Sequence, residues 1–366
     1  MKYKKPPDFA ILFSTLILLC FGIIMVFSSS SVWALYQHKD SFYFLKRQMA
    51  WAFLGFLAMI FFMNYDYWNI KRHEKTVVFV MFVLLAIVLI PGIGIEINYA
   101  RRWIGVGSLT VQPSELAKLG MVIYLACGLE RKQDKITNFF SGVVPFLIVT
   151  GIVCGLILVE PHLSAAVLIG LNTMIMLFVA GSSILQLLAL GAGGFAGVVA
   201  AILSAPYRMR RFLSFLNPWE DIRDTGYHII QSLYALGSGG LIGVGLGHSR
   251  QKFFYLPEPQ TDFIFAIIGE ELGFLGASFV MLLFMFFIWR GYKTALSAPD
   301  LFGRFLAAGL TTLIALQFLI NIAVVTASMP VTGMPLPFIS YGGSSLTITM
   351  TEVGILLNIS RYTEAK

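Results

Sequence analysis

The sequence predicts an all-α membrane protein of about ten transmembrane helices with both termini in the cytoplasm, and three observations carry that expectation. Of 366 residues, 57% are hydrophobic and only 12% charged, more apolar than a water-soluble domain sustains without large exposed patches. Apolar runs near the ~20 residues that span a hydrocarbon core recur from end to end. Lys and Arg gather in short clusters between those runs, so the formal net charge of +7 is read as a topology signal. No basic stripe along one face speaks for nucleic acid.

The runs place spans at 9–27, 48–63, 76–91, 109–129, 143–159, 163–180, 184–203, 262–289, 305–327 and 341–359. The first follows Lys4 and Lys5 and is long enough to cross, so it reads as an uncleaved helix rather than a signal peptide, although Ser28 to Ser31 supply small residues near a cleavage position. The turns at 160–162 and 181–183 are so tight that a single kinked helix is an alternative to two. Short inner loops would collect Lys2, Lys4, Lys5, then Lys71, Arg72, Lys75, then Arg131, Lys132, Lys135, then Arg290, Lys293, Arg304, and finally Arg361 and Lys366. Outer turns hold fewer cations: Lys39, Lys46, Arg47, Arg101 and Arg102. Between the seventh and eighth spans lies a large extracytoplasmic loop, 204–261, whose length lets it translocate despite Arg208, Arg210, Arg211, Arg223, Arg250 and Lys252. Its glycine-rich stretch, 237–247, is expected to dip into the interface or re-enter where protein or water covers it. One polytopic domain, 1–366, accounts for the whole chain; no internal repeat divides it.

Cys20, Cys127 and Cys154 all sit inside apolar runs, so no disulfide framework is implied. No Cys/His cluster has metal-ligand spacing, and no nucleotide-binding fingerprint or Ser-His-Asp set is present. Ionisable residues within spans are few, and their cost makes them candidates for function: Glu115 and Lys118, Glu160 and His162, Asp262, Glu270, Glu271, and Glu352. Asp262 opens the eighth span at its outer end and reads either as a helix cap, a role Thr261 would share, or as a catalytic base. Ala266, Gly269, Gly273 and Gly276 fall on its helix face, a stripe for packing against another helix or, alternatively, a groove for a lipid chain. Glu270 lies off that face and reads as a buried, hydrogen-bonded strut. Glu115 and Lys118, three residues apart, form an ion pair along one helix face or leave the Lys to meet a phosphate.

Several blocks together resemble the SEDS (shape, elongation, division and sporulation) family: Arg102-Trp103-Ile104, Gln112-Pro113-Ser114-Glu115, Pro206 to Arg211, Asn217 to Asp221, Gly226 to Ser232, Leu256-Pro257-Glu258, Thr261 to Ala266, and Pro335 to Ser345. The likeness spans nearly the whole chain and, through Asn217 and Gln251 to Tyr255, leans toward the FtsW and SpoVE branch rather than RodA. It implies a peptidoglycan glycosyltransferase that polymerises lipid II on the outer face of the cytoplasmic membrane, in division or sporulation. It also implies Asp262 as catalytic base and substrate contacts at Arg102, Glu115, Lys118, Arg211, Gln231, Gln251, Glu258 and Ser344. Lipid II, membrane lipids and a class B penicillin-binding protein are the implied partners. A divalent cation, Mg²⁺ or Mn²⁺, is compatible with the pyrophosphate but no ligand set demands it. A lipid II flippase and a non-catalytic scaffold for a transpeptidase are the competing functions. Two places depart from the family pattern. His162 stands where the family usually has an aspartate, so Glu160 or Glu115 would have to pair with Lys118, and 221–226 lacks a usual proline and glycine.

Overall fold

Asp8 starts the helical array. Its side chain accepts hydrogen bonds from the backbone N–H groups of Ala10 at 2.9 Å and Ile11 at 3.3 Å, the capping geometry that fixes a helix start. Arg290 reaches its other oxygen at 2.5 Å. In the computed structural model, which describes residues 4–97, 100–106, 109–220, 222, 226–253 and 255–363, helix α1 (Phe9–His38) runs well past the expected end at residue 27. It can do so because Ser14, Thr15, Ser29 and Ser30 return their hydroxyls to carbonyls one turn back, leaving no unsatisfied donor. Helices α2 (Tyr43–Asn64), α3 (Tyr67–Arg72) and α4 (Glu74–Val88) follow. Of the residues singled out above, Lys2, Asp221, Arg223, Asp224, Thr225, Phe254 and Lys366 lie outside those described.

Residues 94–111 correct the all-α expectation and the start of the fourth span at 109. Strands β1 (Gly94–Ile97), β2 (Ala100–Val106) and β3 (Leu109–Val111) form an antiparallel sheet in chain order, with Gly94 opposite Ile104 and Gly105 opposite Thr110. Ile95, Trp103, Ile104, Thr110 and Val111 are β-branched or aromatic residues punctuated by glycines, a composition that favours strands over helix. The helix starts only at Pro113, the first residue of α5 (Pro113–Arg131), where a missing N–H is tolerated.

Helices α6 (Val144–Val159) and α7 (Leu163–Val179) pack on one another, and Gly181, at φ 93°, turns the chain into α8 (Ile184–Leu203). Both tight turns therefore separate distinct helices. The polar segment after α8 carries α9 (Pro206–Leu216) and α10 (Tyr227–Gly239). Helix α11 (Ile264–Leu296) begins after Asp262, not at it, and breaks at Gly273, whose φ of 65° suits glycine. The break frees the carbonyls of Glu270 and Glu271, which accept the N–H groups of Val244 at 3.0 Å and Gly245 at 2.9 Å. The N–H groups of Phe274 and Leu275 turn to the carbonyls of Gly240 and Leu241. The glycine-rich stretch is thus irregular backbone satisfied by protein. A Cβ added at Gly239 would lie 1.9 Å from the carbonyl oxygen of Gly269. The small-residue stripe is therefore filled by α10 and the loop after it, which corrects the lipid-groove alternative.

Helix α12 (Leu301–Val325) is the central post, in contact with α5, α7, α10, α11 and with α13 (Gly343–Ser360), which lies along α2. Among the described residues, six helical stretches are long and apolar enough to cross a membrane: α1, α2, the Phe139–Val159 stretch ending in α6, α8, α11 and α12. The chain ends meet on one face: Lys5 N–H donates to the Arg361 carbonyl at 3.0 Å, and Lys4 pairs with Asp66 at 2.7 Å.

Candidate active site

The turn before α11 is stitched to the segment that precedes α13. Ser340 donates its hydroxyl to the Thr261 carbonyl at 2.5 Å and accepts the Leu336 N–H at 2.8 Å, while Tyr341 N–H donates to the Gln260 carbonyl at 2.8 Å. From α12, the Asn321 amide uses both of its donors, on the carbonyls of Asp262 at 2.9 Å and Met334 at 2.8 Å. The turn that carries Asp262, residues 260–262, is thus fixed from two sides. Its side chain faces Gly333, where a Cβ would come within 3.4 Å of Oδ2.

Neither Thr261 nor Asp262 caps α11. The cap position is Phe263, without a side-chain bond, and Thr261 turns its hydroxyl back to the Glu258 carbonyl at 2.9 Å. The cap reading of Asp262 is therefore corrected: among the described residues its half-buried carboxylate makes no hydrogen bond or ion pair. Burial, with repulsion from Glu258 added, pushes Asp262 up to about 6, against the attraction of Arg211 and Arg102. Four of the expected site residues thus share one electrostatic neighbourhood.

Arg102 arrives there because neighbouring side chains on a strand point to opposite faces. Arg101 turns to Glu96 at 3.0 Å, and Arg102 turns to the α6–α7 corner, donating to the carbonyls of Glu160 at 3.1 Å and of Pro161. Burial lowers its pKa, opposed by Tyr207 and reinforced by Arg211. Arg211, on α9, is exposed.

Beneath this group lies a second, buried one. Lys118 and Glu115 pair at 2.7 Å with almost no exposure, and Glu352 of α13 shares their surroundings. The ion-pair reading holds, and Lys118 does not reach a surface where it would touch a phosphate. His162 stands over the start of α5, with Nδ1 3.2 Å from the Gln112 amide nitrogen and 3.3 Å from the Ser114 hydroxyl. Burial first, then Arg102 and Lys118, hold His162 down at about 3, so it is neutral and its Nδ1 accepts. Glu115, not Glu160, takes the role opposite Lys118. Glu160 is sealed at the corner with both oxygens unpartnered, and burial pushes it up to about 8 although Arg102 opposes this.

Ser344 accepts the Gln112 N–H at 3.2 Å and is buried, tying α13 to α5. Gln251 lies with the Glu270 loop, donating its N–H to Glu270 at 3.4 Å, and Gln231 is half-buried on α10. None of these three joins the Asp262 group directly. Asn321 and Ser340 escaped the sequence reading; a lone Asn within an apolar helix was the available signal. Among the described residues no three His, Cys, Asp or Glu are grouped to hold a metal ion. Asp262 and Glu258 alone would leave most of a divalent ion's shell to other oxygens.

A half-buried carboxylate with two guanidiniums nearby suits proton abstraction beside a developing anion. A family model for FtsW, RodA and SpoVE, described as cell cycle protein, matches residues 9–365. The chain is 52% identical over 359 residues to stage V sporulation protein E of Bacillus subtilis (strain 168), covering 98% of both. It is 45% identical over 353 residues to the probable peptidoglycan glycosyltransferase FtsW of Geobacter sulfurreducens (strain DL-1 / KN400), covering 96% of this chain and 95% of that one. Among solved structures, a chain of a peptidoglycan synthase complex superposes with a TM-score of 0.79 at 29% identity, covering 97% and 98% of the two chains. The rod shape determining protein RodA of Thermus thermophilus gives 0.72 at 28%, covering 98% of each. The chain therefore belongs to the SEDS family of FtsW, RodA and SpoVE, on its FtsW and SpoVE branch.

Proposed function

We propose that this protein is a multi-pass membrane peptidoglycan glycosyltransferase that polymerises lipid II in division or sporulation, with Asp262 as its base. The observation that carries the assignment is a carboxylate left free of capping and ion pairing while its backbone is clamped by Asn321. In the reaction, Asp262 takes the proton of the acceptor sugar hydroxyl as that oxygen attacks the donor's anomeric carbon. The bond to undecaprenyl diphosphate breaks, and the α-linked donor becomes a β-1,4 glycan by inversion. The leaving diphosphate needs no strong acid. Arg211 has the freer guanidinium and meets the charge developing there; Arg102 positions the Glu160–Pro161 corner and adds its field. Glu258 completes the proposed substrate site; a Mg²⁺ or Mn²⁺ ion bound there would take at most Glu258 and Asp262 from this chain and would neutralise diphosphate charge.

Glu115, Lys118 and Ser344 support the site from below rather than touching substrate. In the proposed ten-span topology both termini lie in the cytoplasm and Asp262 lies outside; the meeting of the chain ends and the Lys and Arg clusters near them support this reading. Likeness to a chain of a peptidoglycan synthase complex supports a class B penicillin-binding protein as partner.

Purified protein incubated with fluorescent lipid II, with and without the transpeptidase, should yield glycan ladders on a gel, and Asp262→Asn should yield none. Ladders of normal length from the Asn variant would remove the base assignment. Lipid II crossing vesicle membranes without polymerisation would favour the flippase.

A further inference from the structure

The end of α5 remote from Asp262 carries a basic recess that the reaction does not use. Tyr124, Gly128 and Arg131 repeat at helical spacing along one face of α5, and with Lys132, Lys135, Ser141 and Phe146 they line a cavity of about 580 Å³ between α5 and the start of α6. Two of the local carboxylates are already engaged, Glu74 with Arg131 at 2.6 Å and Glu130 with Lys71 at 2.5 Å; the third, Asp134, is exposed and does not line the cavity. Among the described residues neither Lys132 nor Lys135 has a carboxylate within 4.0 Å. Lys132 donates to the Ser141 carbonyl at 3.1 Å and lies 5.7 Å from the centre of the Phe146 ring. The recess is therefore a cationic pocket with an aromatic wall.

What adjoins it identifies the class of ligand. Phe140, next in sequence to Ser141 of the lining, is 80% exposed, and Ile148 and Ile152, which follow Pro145 on the same face of α6, are also exposed. Cations at one end and a lipid-facing apolar strip at the other match a phosphodiester headgroup with acyl chains attached, not a free anion. We infer that this recess binds the headgroup of an anionic phospholipid, with Lys132 and Lys135 on the phosphate and the chains along Ile148 and Ile152.

Native mass spectrometry of the full-length protein, released from nanodiscs of phosphatidylglycerol or phosphatidylcholine, tests the site. The wild type should retain one phosphatidylglycerol about tenfold more strongly than phosphatidylcholine. Lys132→Gln with Lys135→Gln should lose that preference, and Lys132→Arg with Lys135→Arg should keep it. Lys293→Gln, a distant charge loss, should change nothing. Equal retention of the two lipids by the wild type, or an unchanged preference in the double Gln variant, would overturn the proposal. Millimolar inorganic phosphate should leave the lipid bound; release by phosphate would assign the recess to a free anion and overturn the lipid assignment.

Discussion

Asp262 and the pair Glu270–Glu271 lie about two helical turns apart on one stretch of chain, and the fold treats them oppositely. Glu270 accepts from the Ser249 hydroxyl and from the N–H groups of Arg250 at 2.8 Å and Gln251 at 3.4 Å. Glu271 accepts from Ser28 of α1 at both oxygens, at 2.8 and 2.6 Å, and faces Lys252 at 3.5 Å. Every oxygen of that pair is committed, and what it holds is the loop that covers the break in α11. At Asp262 the commitments fall on the backbone instead, and the carboxylate is left over. Saturated carboxylates build; an unsaturated one among guanidiniums is available for chemistry.

The largest expected effect tests that contrast. Asp262→Asn should lower the rate of lipid II polymerisation by about 10²–10⁴-fold without lowering the thermal midpoint. The folded pKa lies above the ordinary aspartate value, so ionisation costs native stability as pH rises from about 4 through about 6. At pH 7 the Asn variant is relieved of that cost. A drop in its midpoint would make Asp262 structural.

Glu271→Ala should do the reverse. It leaves Lys252 buried beside no anion and should destabilise by about 3–5 kcal/mol, read as loss of folded protein in a thermal unfolding series. A fully stable variant would remove the structural assignment. Asn321→Ala leaves the carbonyls of Asp262 and Met334 without their donor and should cost about 1–3 kcal/mol, with kcat falling more than KM rises. If KM alone changed, Asn321 would not be positioning the base. The smallest effect is on pH dependence. The base works ionised, so activity should rise through about pH 6 to a plateau. Removing attraction in Arg211→Gln should move that limb upward, and removing repulsion in Glu258→Gln should move it downward. A limb unmoved by both would separate these charges from Asp262.

Much of this was legible in the sequence, for reasons specific to each element. The helices expected at 163–180 and 184–203 follow from apolar length, whereas between them the sequence allows a turn or a kink, and Gly181 at φ 93° decides for the turn. The strut at Glu270 follows from its place off the Asp262 face. The sheet at 94–111 was hidden because a short β-branched run beside a span looks like part of that span. The cap question at Asp262 could not be answered from spacing, since Thr261 and Asp262 offer the same chemistry and only their hydrogen bonds differ.

Composition and residue order by themselves determined that this chain is a membrane protein with an acidic residue at the mouth of its longest helix, because apolar length and the cost of buried charge act locally. Which carboxylate stays free was decided only by tertiary structure. Residues far apart in sequence, Ser28, Asn321 and Ser340, supply donors to Glu271 and to the carbonyls of Asp262 and Thr261, and hydrogen bonds between distant segments leave no trace in local pattern.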